Sequence, residues 1–335
     1  MRNIFSHAAL AAILIVVASC AKEREYSKNG DEVSYFNSWV HINYPDIKEE
    51  ESGIYILEDK VGTGEKVEDN DYLFVKYTST DLEGNITATT DIDVAKKIGT
   101  YKEANYYGPQ VLSFGKGDNF VGIESMLKDM RVNGIKKAII PKWLITYETQ
   151  NSLEEYKEHV SSGNNSIYTI ELLGKTASIE DWELDSLERF SDKYLSGLDS
   201  LSKGFYYHQI KKPTIAEDFP KDTTIYINYI GRLLNGQVFD TTIADTAKFY
   251  NIWNSSRDYE PVSINWEESH DELTMGSSSS SLVGGFTKTL WEMQPFERGV
   301  GVFYSSLGYG TTGNGSTIPS YSPLLFDIEI VEKPE

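Results

Sequence analysis

Residues 226–242 read YINYIGRLLNGQVFDTT. Tyr226 to Ile230 is rich in aromatic and β-branched types, which favour a strand. Asn235-Gly236 is the commonest signal for a two-residue hairpin turn. A second strand then carries Phe239 and Asp240 to its far end. Taken alone, the stretch is a hairpin with a solvated Asp beside a core Phe.

Residues 306–332, SLGYGTTGNGSTIPSYSPLLFDIEIVE, change that reading. Together the two stretches resemble the FKBP-type peptidyl-prolyl isomerases. The barrel of that family starts V-H-Y-T-G…G-x-x-F-D-S/T and ends A-Y-G…I-P-P…L-x-F-x-V-E-L. The resemblance covers residues 204–332 well and 53–174 more loosely. It implies an α+β fold of two FKBP-like domains. Each is a bent antiparallel β-sheet wrapped around a short α-helix, residues 123–130 and 285–293, with Met130 and Met293 in the cores. A longer helix joins them.

Internal repetition supports two domains. Gly53 answers Gly204 at a lag of 151, and Tyr77 and Gly84 answer Tyr229 and Gly236 at 152. Met130 answers Met293 at 163, and Tyr168 answers Phe326 at 158. A lag that changes only between elements marks a duplicated domain rather than a solenoid. The main insertion in the second copy is read at 243–270, long enough to hold structure of its own. Residues 178–201 read as the long helix, with Ser178 as N-cap and Ile179, Trp182, Leu187, Phe190, Tyr194, Leu198 and Leu201 on one face. Val33, Phe36 and Val40 predict a short helix over 33–41.

Residues 8–18, AALAAILIVVA, are too short to span a membrane and read as the apolar part of an export signal. Val17-Ala18-Ser19-Cys20 follows and looks like a bacterial lipobox, which makes Cys20 the lipidation site. Cys20 is the only Cys among 335 residues, so no intramolecular disulfide can form. The organisation expected is 1–20 signal, 21–32 tether, 33–176 first domain, 177–203 linker helix and 204–335 second domain. The protein is expected to be lipid-anchored in a bacterial cell envelope, at the outer membrane on its periplasmic or surface face.

A net charge of −20 argues against nucleic acid, whose phosphates demand Lys and Arg in excess. It also argues against polybasic attachment to anionic lipid. GYGTTG at 308–313 matches G-x-G-x-x-G, but NGSTIPSYSP follows it and cannot form the helix a dinucleotide needs. Glu267, Glu268, His270, Asp271 and Glu272 read as a solvated loop, so neither a metal nor a cofactor is expected. Ser277 to Ser281 reads as a flexible connection. There is no G-x-S-x-G, and the lone Cys sits in the lipobox, so nucleophilic catalysis has no candidate.

The resemblance assigns a pocket in the second domain. Tyr229 takes the Tyr of H-Y-T-G, Phe239 and Asp240 the F-D pair, and Val283 the Ile of V-I-x-G-W. Phe286 stands for the Trp floor, which implies retained but weaker activity. Tyr309 is the Tyr of A-Y-G, with Asn314 in place of a frequent His. Ile318 precedes Pro319, and Phe326 is the late pocket Phe. Asp240, Tyr309 and Phe286 are the expected catalytic residues; Tyr229, Phe239, Val283, Ile318 and Phe326 bind substrate.

In the first domain the F-D pair falls on Thr87 and Ala88, the floor on Ile123, and the Ile/Val position on Phe120, which is expected to fill the slot. Tyr147 comes one residue late. The first domain is therefore expected to be catalytically silent. Two readings of the whole chain stand: an isomerase acting on proline-containing peptides or unfolded exported proteins, or a non-catalytic peptide-binding or envelope-assembly lipoprotein that keeps the fold.

Overall fold

The computed structural model describes residues 30–159, 162–277 and 279–334. The expected signal, Cys20 and the tether through residue 29 lie outside the described residues. In chain order the first half holds α1 (Gly30–Asn43), β1 (Tyr55–Lys60), β2 (Tyr72–Thr80), β3 (Ile86–Thr89), α2 (Ile92–Lys97), β4 (Gln110–Ser113) and α3 (Val121–Leu127). It continues with β5 (Gly134–Ile140), α4 (Leu153–Glu158) and β6 (Ser166–Thr176). The linker is α5 (Ile179–Tyr194). The second half holds β7 (Phe205–Lys211), β8 (Thr223–Leu233), β9 (Val238–Thr241), α6 (Ala244–Phe249), β10 (Val262–Trp266), β11 (Thr274–Met275), β12 (Ser280–Ser281), α7 (Gly284–Trp291), β13 (Arg298–Phe303) and β14 (Leu324–Val331).

The first sheet runs β1-β5-β6-β2-β3, with β4 also on β2; the second runs β12-β11-β10-β8-β14-β13-β7, with β9 also on β8. Every pairing is antiparallel. One short helix lies against each sheet, and Met130 and Met293 are buried in the two cores, as expected. Both helices come close to the sheet at a glycine. A Cβ on Gly122 would meet Ile140 Cγ2 at 2.3 Å, and one on Gly285 would meet Phe303 Cγ at 2.2 Å. The two pairs are related by the lag of 163.

The sheets locate the insertion elsewhere than expected. Tyr72 pairs with Ser113, and Thr224 with Asn265, so the lag of 152 runs unbroken through β4 and β10. Even the loops agree: Tyr107 Oη accepts from Lys102 N, and Tyr259 Oη from Asn254 N. The lag reaches 163 only at α3 and α7. The eleven extra residues therefore lie between β10 and α7, where they build the β11-β12 hairpin. Residues 243–262 have a full counterpart in the first copy. Ser280 and Ser281 pair with Met275 and Thr274, so this end of the serine run is strand rather than loose connection.

Other boundaries move too. α1 starts at Gly30, inside the expected tether. The central helices span 121–127 and 284–291 rather than 123–130 and 285–293. α5 ends at Tyr194 because Ser196 and Gly197 both take positive φ, which takes Leu198 and Leu201 off the helix. Phe36 on α1 is wholly buried against Trp143 and Tyr55, ring centroids 5.1 and 5.7 Å away. Among the described residues no helix is long and apolar enough to cross a membrane.

α5 touches both halves. Trp182 packs on Phe74 of β2 with centroids 4.6 Å apart. Leu187 enters a small core with Val300, Val302 and Tyr206 of the second sheet. Further bonds join the halves directly: Tyr106 N donates to Ser316 O at 2.7 Å, and Gln237 Nε2 to Asn105 O at 3.1 Å.

Candidate functional site

The site grows from the β8–β9 hairpin. Leu233 N donates to Gln237 O and Gly236 N to Leu233 O, both at 2.9 Å, and Gly236 has φ +91°. The loop is therefore the three-residue kind, a turn closed by a left-handed glycine, and not the two-residue turn that Asn-Gly suggested. A bulge follows: Gly231 pairs with Asp240 but Arg232 with Val238, leaving Phe239 without an opposite residue. A Cβ on Gly231 would lie 2.6 Å from Phe239 and 3.0 Å from Phe326. The absence of a side chain there is what lets both rings turn in over the sheet.

The rings meet around Phe326 of β14. Phe286 stands edge-on to it at 4.9 Å and 88°, Phe239 at 5.6 Å and 80°. Tyr229 lies 6.0 Å from Phe326 and edge-on to Phe286 at 5.6 Å. Tyr229, Phe286, Ile318 and Phe326 are buried, whereas Phe239, Val283 and Tyr309 are partly open and pack on the same cluster. So the residues assigned to the pocket from sequence converge in one place, as a packed ring cluster whose Phe239, Val283 and Tyr309 edge is partly open. Val283 caps α7 with extended backbone, and its own N–H finds no acceptor among the described residues. It is free to donate to a ligand.

The polar side of the rim is one network. Tyr229 Oη donates to Asp240 Oδ2 at 2.6 Å, and Thr241 N donates to Asp240 Oδ1 at 2.9 Å. Arg257 forms a short ion pair with Asp240, and its Nη2 reaches Tyr229 Oη at 3.4 Å. Burial, and then the Asp240 charge, push the Tyr229 hydroxyl far above the usual phenol range. It stays a neutral donor at any physiological pH. Burial raises Tyr309 as well, with Asp240 adding to it. Thr242 holds the strand from behind, its Oγ1 accepting from Tyr229 N at 2.9 Å.

The corresponding place in the first domain is not filled. Tyr77, Ala88, Phe120, Ile123, Tyr147 and Tyr168 line a cavity of about 320 Å³. Phe120 packs on Tyr147, centroids 4.6 Å apart, and lines the cavity without filling it. The missing groups are those the sequence indicated. Ala88 stands where Asp240 does, and Thr87 Oγ1 is spent on Ser79 Oγ at 2.8 Å.

Arg257 and Glu183 escaped the sequence reading. Arg257 lies 17 residues from Asp240 in an irregular loop, with no pattern around it. Glu183 lies 122 residues from its partner, the rim loop. It is 2 % exposed, and it accepts from Ser305 N at 2.6 Å and Ser305 Oγ at 2.7 Å. Its only signal was a carboxylate on the apolar side of α5, one residue after Trp182. Among the described residues no group of three or more His, Cys, Asp and Glu is placed to hold a metal ion.

An antiparallel sheet around a short helix, with an aromatic cluster edged by Tyr229, Asp240 and Arg257, is similar to an FKBP-like domain. The comparisons agree: residues 216–331 match the family model described as FKBP-type peptidyl-prolyl cis-trans isomerase. The match is to this segment, about a third of the chain. The chain is 23% identical over 160 residues to a probable FKBP-type peptidyl-prolyl cis-trans isomerase of Haemophilus influenzae, covering 47% of this chain and 55% of that one. It is 26% identical over 124 residues to FK506-binding protein 1A of Aspergillus fumigatus, covering 37% and 89%. It is 28% identical over 132 residues to the macrophage infectivity potentiator of Trypanosoma cruzi, covering 39% and 54%. The chain thus spans about half the length of the Haemophilus and Trypanosoma relatives. Among solved structures, the three FKBP domains of wheat FKBP73 align over 86% of this chain and 98% of that one, at 14% identity and TM-score 0.29. A peptidyl-prolyl isomerase of Pseudomonas syringae aligns over 47% and 97%, at 22% identity and TM-score 0.31.

Proposed function

We propose that the second domain turns X-Pro bonds by enclosing the proline between Tyr229, Phe239, Phe286 and Phe326. The observation that carries this is the ring cluster around Phe326 with Asp240 at its edge. The uncatalysed barrier is ~18–20 kcal/mol because rotation breaks amide resonance. The twisted amide is less zwitterionic than the planar one, so an apolar, water-poor pocket favours the transition state over the ground state. No nucleophile and no proton transfer are needed. The Val283 N–H and the Tyr309 hydroxyl hold carbonyls of the peptide, and Asp240 orients Tyr229. Phe286 in place of a larger indole gives a looser floor and a modest rate. The test is a protease-free isomerisation assay on the purified protein with a prolyl peptide. Acceleration over the uncatalysed exchange supports the reading, and none overturns it.

The first domain serves as a silent partner in this proposal, because Ala88 stands where Asp240 does and Ile123 where Phe286 does; the acid that lines its cavity, Asp118, accepts from Ser113 Oγ at 2.7 Å. The same cavity favours a second reading, in which the chain grips peptides without turning them. The clients proposed are exported polypeptides, with the chain held to an envelope membrane through Cys20. Mass spectrometry of a membrane fraction should find acyl mass on Cys20, and Cys20→Ser should release the protein to the soluble fraction.

A further inference from the structure

A cleft apart from the aromatic cluster of the second domain stands out. It lies between the two domains and α5, with a volume of about 650 Å³, well within the range of ligand sites. Phe74 of β2, Trp182 and Tyr194 of α5, Leu234 at the hairpin tip and Tyr321 of the rim loop form its walls. Trp182 is 36% exposed and Tyr194 59%, so both rings present open surface to the cleft.

Two cations stand among these apolar walls, Arg189 and Lys193, four residues apart on one side of α5. Arg189 Nη2 donates to Ser186 Oγ at 2.9 Å, and Lys193 Nζ sits 4.9 Å from the Tyr194 ring centre. Neither is in an ion pair with the described residues. In a chain of net charge −20, two such cations beside one apolar cleft select for an anion. The cleft also adjoins the aromatic cluster of the second domain. Ile318 is buried in the pocket cluster, and the next residues, Pro319 to Pro323, line the cleft. An occupant of one site is therefore separated from the other by the thickness of a single loop.

From this juxtaposition we infer that the interdomain cleft is a second polypeptide-binding site, for an extended segment with large apolar side chains and an adjacent carboxylate. The apolar side chains lie against Phe74, Trp182 and Leu234, and the carboxylate meets Arg189 and Lys193. The site needs no proline, so it stands or falls separately from isomerisation.

The test uses the intact protein and fluorescein-labelled, proline-free peptides that alternate Leu and Phe with Glu, or with Lys instead of Glu. Anisotropy should show the Glu peptide bound about tenfold more tightly than the Lys peptide, the size expected for two exposed ion pairs. Arg189→Glu with Lys193→Glu should reverse that preference, and Tyr194→Ala should weaken both peptides. A prolyl peptide should be turned at an unchanged rate by all three proteins, which also reports that they are folded. Equal binding of the two peptides, a preference untouched by charge reversal, or binding of oleate but of neither peptide would each overturn the inference.

Discussion

The Tyr229 hydroxyl donates to the Asp240 carboxylate at 2.6 Å, tying the inner wall of the aromatic pocket to its rim. Arg257 closes the arrangement from the far side by pairing with Asp240 and approaching the same hydroxyl. Asp240 is thus held by Tyr229 and Arg257, which are 28 residues apart in sequence. Tyr229→Phe keeps the ring and removes the tie. Because the lost bond goes to a charged group, the expected stability loss is about 1.5–3 kcal/mol by urea unfolding. The isomerisation rate should fall with it while the protein stays folded.

Phe286 is 2 % exposed and touches both Tyr229 and Phe326. Phe286→Ala should cost ~3–5 kcal/mol and remove the proline floor. Phe286→Leu keeps more of the volume and should cost less stability while still lowering kcat/KM. If the Leu variant matched the unaltered protein in rate, the floor would lie elsewhere.

Glu183 gives a pH-dependent prediction. Burial raises its pKa above the ordinary carboxyl value, against the lowering effect of its bonds to Ser305. The folded protein therefore binds the proton more tightly than the unfolded chain does. Its contribution to stability is full below the unfolded carboxyl pKa and is lost as pH rises through the folded one. Glu183→Gln should flatten the stability profile across that acidic window. It should also loosen the turn at Ser305 that leads to Tyr309, so kcat/KM should drop although Glu183 touches no substrate. A profile identical to that of the unaltered protein would remove Glu183 from this role.

The first domain should respond independently. Phe36→Ala opens space beside Trp143 and Tyr55, at an expected cost of ~3–5 kcal/mol to that half. Calorimetry should show one transition moved down, with isomerisation at 25 °C unchanged. A proportional loss of activity would mean that the rim loop depends on the first domain more than its bonds at Asn105 and Tyr106 indicate.

Much of this was legible in residues that act locally. The aromatic and β-branched run at Tyr226–Ile230 marked a strand, and Phe239 and Phe326 were placed by the family's motifs. The lag of 152 was visible in Tyr77 and Tyr229. It misplaced the insertion although loops 91–109 and 243–261 share length and five identities, Asp93/Asp245, Ala95/Ala247, Lys96/Lys248, Tyr107/Tyr259 and Pro109/Pro261; these are scattered, and strand register made the equivalence plain. Asn235-Gly236 misled because it fits two turn types, and the bonds of Leu233 decide between them. Arg257 and Glu183 were hidden because their partners are distant in sequence, and no periodicity connects an acid on a linker helix to a serine in a rim loop. Phe120 was expected to fill the first-domain slot; the extra residue before Tyr147 gave it a ring to lean on instead.

The most direct measurement is protease-free isomerisation of a prolyl peptide by the intact protein and two variants, Asp240→Ala and Ile123→Ala. The first alters the rim of the second domain, the second the floor of the first-domain cavity. The account predicts that Asp240→Ala loses most of the activity while remaining folded, and that Ile123→Ala keeps the rate of the unaltered protein. Full activity in Asp240→Ala, or loss in Ile123→Ala at preserved structure, would contradict it.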